Sequence, residues 1–160
     1  MLTNEQFTAY AQRYIDTVYR VALNYLKSAA DAEDITQNVF LKLFKEDKIF
    51  ASEEHVKRWL IRVALNECKS LTRARWWRSE SYEDYAETLT FDNPAHSDLF
   101  YAVMALPKKY RVPIYLHYYE EYTTQEIAEI MKLPKSTVCT HLSRGRELLR
   151  QSLQEVDANV

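Results

Sequence analysis

One glycine and four prolines in 160 residues leave little room for a fold built on turns. No segment alternates apolar and polar residues over strand length, so a sheet architecture is excluded and an almost entirely helical chain is expected. A single glycine also rules out a glycine-rich phosphate loop. There are only two cysteines, Cys68 and Cys139, far apart and outside any CxxC pair. That excludes a disulfide framework and predicts two free thiols in a reducing compartment. Cys139-Thr140-His141 offers two metal-capable side chains, short of the four that close a zinc site. No apolar run approaches the roughly 20 residues that span a bilayer. The N-terminus lacks the basic-then-apolar order of a signal peptide, so a cytoplasmic protein without membrane insertion is expected. No Ser/His/Asp or Cys/His arrangement and no acidic cluster of ligand spacing stands out, so neither an enzyme nor a cofactor is expected.

What is present is charge in blocks. The net charge is only −2. Residues 55–78, however, hold seven basic side chains and one acidic, and residues 79–106 hold six acidic and no basic ones. Residues 132–150 carry five basic side chains against one acidic. Two basic patches separated by an acidic stretch fit contact with a polyanion better than they fit ordinary solvated helix faces.

Helical periodicity organises the rest. Phe7, Tyr10, Tyr14, Val18, Ala22 and Leu26, with Ala11, Ile15 and Leu23 beside them, trace one stripe over about 4–27. A second helix begins near Ser28, where Asp31, Glu33 and Asp34 suit the positive end of a helix dipole. It continues through Ile35, Val39, Phe40, Leu43 and Phe44. After a loop at 47–54, Ser52 is the expected N-cap of a third helix. This third helix turns Val56, Trp59, Leu60, Val63, Ala64 and Leu71 inward and Arg58, Arg62, Asn66, Lys69 and Arg73 outward. Residues 79–95 lack periodicity and read as a linker closed by Asn93-Pro94. A short helix is expected over about 97–105 and another over 107–120, distorted at Pro113.

The most informative stretch is 123–150. Ile127, Ala128, Ile130 and Met131 give one helix an apolar face; Val138, Leu142, Gly145, Leu149 and Leu153 give the next one its own. Leu133-Pro134 stops the first, because proline disfavours helical geometry in the preceding residue. Lys135, Ser136, Cys139, Thr140, Ser143 and Arg144 lie opposite the second apolar face. They are short polar and basic side chains suited to a major groove. This is a helix-turn-helix.

Three segments, in order, carry a resemblance. Asp31-Ala32-Glu33-Asp34-Ile35-Thr36-Gln37-Asn38-Val39-Phe40-Leu41-Lys42-Leu43-Phe44 is similar to a polymerase-docking helix. Trp59-Leu60-Ile61-Arg62-Val63-Ala64-Leu65-Asn66 is similar to a helix facing the −10 promoter element. Leu106-Pro107-Lys108-Lys109-Tyr110-Arg111 through Arg146 is similar to a −35-reading domain. Together they resemble the extracytoplasmic-function group of the bacterial sigma-70 family of RNA polymerase sigma factors.

The resemblance implies an all-α chain of two small helical domains joined by a flexible linker: 1–78 for docking and the −10 element, 79–95 as linker, and 96–160 for the −35 element. It implies docking of Asp34, Gln37, Phe40 and Leu43 on a coiled coil of the polymerase's largest subunit, with Phe40 and Leu43 equally open to a core role. The flap of the second-largest subunit, promoter DNA and an anti-sigma factor are the other implied partners. Phe50 and Asn66 fall near the position of an extruded −10 base, and Arg58, Arg62, Lys69 and Arg73 would hold phosphates. Trp59 is expected in the core. Trp76 and Trp77 either stack on single-stranded DNA or cap the third helix, the cap being slightly favoured.

In the −35 domain, Thr124, Lys135, Ser136, Cys139, Thr140, Ser143, Arg144 and Arg146 are the implied DNA-facing positions. Ser136, Thr140 and Arg144 are expected at bases, Lys135 and Arg146 at phosphates. Lys132 stands where the family's turn commonly has glycine and is expected at positive φ. Cys139-Thr140-His141 replaces a frequent Lys/Arg-Ser-Arg, which places promoter choice away from the family's common −35 sequence. The acidic linker would thread the RNA exit path as an RNA mimic or serve as a solvated tether. Competing readings are a stand-alone helix-turn-helix regulator and a protein-interaction module that has lost DNA binding. The docking segment tells against the first and the basic block at 55–78 against the second.

Overall fold

The computed structural model describes residues 1–77 and 97–158, with side chains through Glu155. The expected linker at 79–95 lies outside the described residues. The chain divides into two compact units, Met1–Leu89 and Thr90–Val160. Among the described residues all regular structure is helical, and no helix is long and apolar enough to cross a membrane.

The first unit is a bundle of α1 (Asn4–Leu26), α2 (Ala29–Lys45) and α3 (Glu53–Trp77). Thr3 and Gln6 close a capping box at the start of α1, which satisfies two otherwise orphan N–H groups. Lys27 ends α1 in the left-handed region at φ 57°, with its N–H bonded to the Leu23 carbonyl. Ser28 Oγ then accepts the Asp31 N–H at 3.3 Å, so two residues suffice to reverse the chain. Ala32, Val39 and Leu43 from α2 meet Val18 and Ala22 from α1 and Val56, Ile61 and Ala64 from α3, each at 0% exposure. Cys68 is buried among them and forms no disulfide. Ser52 caps α3 as expected, its Oγ taking the His55 N–H at 3.2 Å. Arg75 near the end of α3 forms a bidentate pair with Asp31 at the start of α2, at 2.8 and 2.9 Å. Ile15, expected in the apolar stripe of α1, is instead 46% exposed.

The second unit packs α4 (Asp98–Met104), α5 (Lys108–Tyr118) and α6 (Thr124–Met131) around the long α7 (Lys135–Ala158). Helix α5 runs through Pro113 and remains helical; the missing N–H removes only the bond to the Lys109 carbonyl. Arg111, 3% exposed, donates to the Leu106 carbonyl at 2.9 Å and so braces the α4–α5 turn from within. Thr123 and Glu126 form a second capping box at the start of α6. Lys132 does adopt the left-handed conformation, at φ 56° and ψ 47°, and its N–H closes on the Ala128 carbonyl. Pro134 follows and leads directly into α7.

Val138 and Leu142 of α7 are essentially fully buried, as their spacing predicts. Gly145 sits on the same side, where a Cβ would lie 3.0 Å from Ile114 Cγ1 and 3.3 Å from Tyr110 Cβ. Helices α5 and α7 therefore approach at a point with no space for a branched side chain. Gly145→Val should destabilise the chain by about 1–3 kcal/mol through overpacking, seen as a lower urea-unfolding midpoint. An unchanged midpoint would mean that the two helices part without cost.

Candidate nucleic-acid and docking surfaces

The outer side of α3 follows from its inner one. Residues four and three apart share a helix face, so sealing Leu60, Ile61, Ala64 and Leu65 inside turns Arg62, Asn66, Lys69 and Arg73 out to solvent. Arg58 continues the row but is half-buried and lies 3.4 Å from Glu54. Phe50 is half-buried in the loop before α3, its ring 5.2 Å from His55 and 5.7 Å from Trp59, edge-on to both. The Ala51 N–H donates to His55 Nδ1 at 3.0 Å, which puts the neutral ring's proton on Nε2 and fixes the loop. Phe50 thus belongs to an aromatic cluster at the beginning of α3. Asn66 lies seven residues beyond Trp59, roughly 10 Å further along the axis.

Helix α2 carries a second stripe rotated away from the core. Asp34, Gln37, Leu41 and Phe44 recur along one exposed side. Gln37, Phe40, Leu41 and Phe44 face Phe7, Ala11 and Ile15 of α1 across an apolar groove of about 510 Å³. Phe44 meets Phe7 edge-on at 5.4 Å. Of the expected docking residues, Asp34 and Gln37 are exposed and Phe40 keeps 8% of its surface at the groove. Leu43 must be corrected: at 0% exposure it packs the bundle and has no surface to offer a partner. Leu41 and Phe44, 55% and 47% exposed, are the apolar residues that α2 leaves uncovered on this side. Both lie within the docking-like segment of the sequence but outside the four docking positions the resemblance implies; their four- and seven-residue spacing from Gln37 puts them on its exposed side.

On α7, Lys135, Ser136, Cys139, Thr140, Ser143 and Arg144 are all exposed, and Thr124 is half-exposed at the first position of α6. The Thr140 hydroxyl donates to the Ser136 carbonyl at 3.0 Å, which leaves its lone pairs outward as acceptors. His141 turns back from this row. Its ring lies 5.5 Å from Tyr110, edge-on, and Nδ1 is buried without a partner among the described residues. Burial first, and then the charges of Lys109 and Arg144, push the imidazole below its ordinary range, so it is neutral at neutral pH. Arg144 first, and Lys109 beside it, hold the Tyr110 phenol below the usual tyrosine range. Lys109 Nζ stands 5.0 Å over the Tyr110 ring. Arg146 is placed differently from Arg144: its guanidinium donates to the Tyr118 hydroxyl at 3.2 Å, at the flank of α7. Tyr110 and Lys109 had no local signal as partners of this row; only the packing of α5 on α7 brings them there. Among the described residues no group of three metal-capable side chains occurs.

Comparison with known proteins gives the family of both units. Residues 10–78 match the family described as Sigma-70 region 2, and residues 97–149 match Sigma-70, region 4. The chain is 29% identical to the ECF RNA polymerase sigma factor SigW of Bacillus subtilis (strain 168), over 89% of this chain and 86% of that one. It is 31% identical to the RNA polymerase sigma factor SigV of the same organism, over 87% and 86%. Its fold is similar to that of the sigma factor RpoE from Bartonella quintana, solved in complex with the anti-sigma factor NepR, with a TM-score of 0.73 and 19% identity over 92% of this chain and 96% of that one. With two family regions in order over more than half its length, the chain belongs to the sigma-70 family of RNA polymerase sigma factors, in the extracytoplasmic-function group.

Proposed function

We propose that the two units divide the work of promoter recognition. Residues 1–78 dock on a coiled coil of the largest polymerase subunit through Asp34, Gln37, Phe40, Leu41 and Phe44, and face the −10 element with α3. Residues 79–95 link the units. Residues 96–160 hold the −35 element with α7 and meet the flap of the second-largest subunit. The observation that carries this reading is that each unit seals one side of a long helix and leaves a polar, basic side exposed. The protein works in the cytoplasm with promoter DNA and core polymerase, contributes no catalysis of its own, and is held in check by an anti-sigma factor.

In the −10 region, Arg62, Lys69 and Arg73 hold backbone phosphates, with Arg58 in support, and supply salt-dependent affinity. Asn66 stands among them with an amide that both donates to and accepts from a base edge. Phe50 lines the entrance from its cluster with His55 and Trp59. In the −35 region, Ser136, Thr140 and Arg144 face bases, Cys139 and Ser143 complete the row, and Lys135, Thr124 and Arg146 serve the backbone. His141, neutral and turned onto Tyr110, contacts no base. Tyr110 positions Arg144.

Run-off transcription with purified core polymerase tests the whole reading: initiation from a cognate promoter should require this chain. Sequence-specific DNA binding with no polymerase requirement would sink it. Asn66→Ala should slow promoter opening while leaving the affinity for core polymerase intact; parallel loss of both would remove Asn66 from the −10 site. Arg144→Ala should weaken discrimination at one −35 base pair by about 1–3 kcal/mol, measured by competition between promoter variants in holoenzyme. An unaltered preference would show that Arg144 reads no base.

A further inference from the structure

Two large aromatic side chains at the end of α3 are left uncovered. Trp76 is 72% exposed and Trp77 79%. The helix-capping role that the sequence favoured for them is therefore not the one they fill. The end of α3 is fastened instead by the bidentate pair between Arg75 and Asp31. The tryptophans thus project from a helix end that is tied to the bundle.

Their placement points to an occupant. Arg62, Asn66, Lys69, Arg73 and Trp76 follow one another at intervals of four, three, four and three, and Trp77 stands four after Arg73, so all six lie along one side of α3. Arg62, Asn66, Lys69 and Arg73 on that side are exposed and, asparagine apart, cationic. An apolar pair that continues a row of phosphate-binding groups suits a polyanion with apolar faces. Unpaired nucleic acid has both: every base offers a π-face, and its backbone follows the positive charge. Neighbouring positions on a helix point about 100° apart, so the two indoles splay and present two platforms rather than one sandwich.

We propose that Trp76 and Trp77 form a stacking platform for unpaired bases of the opened promoter strand. The proposal rests on the reading of α3 as the DNA-facing helix. Ten residues separate Asn66 from Trp76, roughly 15 Å of helix. At about 3.4 Å per nucleotide step, the platform lies some four to five nucleotides from the base that Asn66 faces. Lys69 and Arg73 hold the phosphates between these two points, and the strand tracks the helix from the amide to the indoles. Stacking ignores base identity, so the pair stabilises the opened state without adding sequence choice.

The test uses holoenzyme reconstituted from core polymerase and the full chain, with two probes. One is a fork-junction promoter fragment with an unpaired −10 strand carrying single 2-aminopurines at successive positions. The other is a fully duplex −35 fragment. Replacing both tryptophans by alanine should weaken binding to the fork probe by on the order of tenfold per lost stacked base. It should also abolish 2-aminopurine quenching at the positions four to five nucleotides from the Asn66 contact. Replacement of both by phenylalanine should restore most of the affinity and the quenching. Binding to the duplex −35 probe and to core polymerase should be unchanged. Undiminished fork binding by the alanine variant overturns the proposal, and so does loss of core binding, which would assign the pair to a polymerase surface. Asn66→Ala separates the two levels. If it weakens fork binding while the tryptophan variant does not, only the platform fails; if neither has an effect, the reading of α3 as a DNA helix fails.

Discussion

The sealing of α3 against α1 and α2 is the constraint on which the N-terminal half depends. A 25-residue helix with a basic outer side has no reason to hold still in water. Its position comes from Val56, Leu60, Ile61, Ala64, Leu65 and Cys68, all buried. At about 1.5–3 kcal/mol for each large aliphatic side chain taken out of water, this stripe far outweighs any ion pair on the same helix. A partly exposed pair contributes at most about 1 kcal/mol. Arg75 and Asp31 therefore do little to drive folding. Their two-point geometry fixes orientation, and it does so at the end of the helix where apolar burial has run out.

The C-terminal half uses the same logic with a different joint. Gly145 lets α5 come close enough to α7 that Tyr110 reaches the exposed polar row of α7. Arg144, the neighbouring residue, lies close enough to lower the pKa of the Tyr110 phenol. Packing and the proposed reading of DNA are thereby linked through adjacent positions: the residue without a side chain sets the distance, and Arg144 beside it meets Tyr110. His141 completes the joint from the other side of Tyr110. A charged arginine at that position would be hard to bury beside Lys109 and Arg144, whereas a neutral imidazole packs there. That gives a structural reason for histidine in a row where basic residues are common in the family, and it does not require His141 to touch DNA.

How much of this was legible beforehand divides along sequence separation. Helix starts were readable because capping is local: Ser52 with His55 and Ser28 with Asp31 both act over three residues. The left-handed Lys132 was readable only through the resemblance, which puts it where the family's turn commonly has glycine. Periodicity identified the inner faces of α2, α3 and α7. It failed at Ile15, because a stripe gives a direction but not what lies along it; at Leu43 it agreed with the core role left open beside docking. In α1 the stripe outruns its partners and Ile15 emerges at a groove, while in α2 Leu43 falls at the centre of the bundle. Contacts across long separations carried no local trace, as with Asp31 and Arg75, 44 residues apart.

A net charge of −2 is no obstacle to a DNA-binding chain, and the reason is screening. At physiological salt the Debye length is about 8 Å, shorter than the outer side of α3 from Arg58 to Arg73, which spans roughly 22 Å. A phosphate near that side is attracted by the cations within a few ångströms and is nearly blind to carboxylates on other helices. What matters is which charges share a face. The bundle sorts them, because the apolar stripe that drives Leu60 and Ala64 inward leaves Arg62, Lys69 and Arg73 together on the outside. Charge balance over the whole chain bears on solubility and on encounters with other acidic proteins; affinity for DNA is decided one helix face at a time.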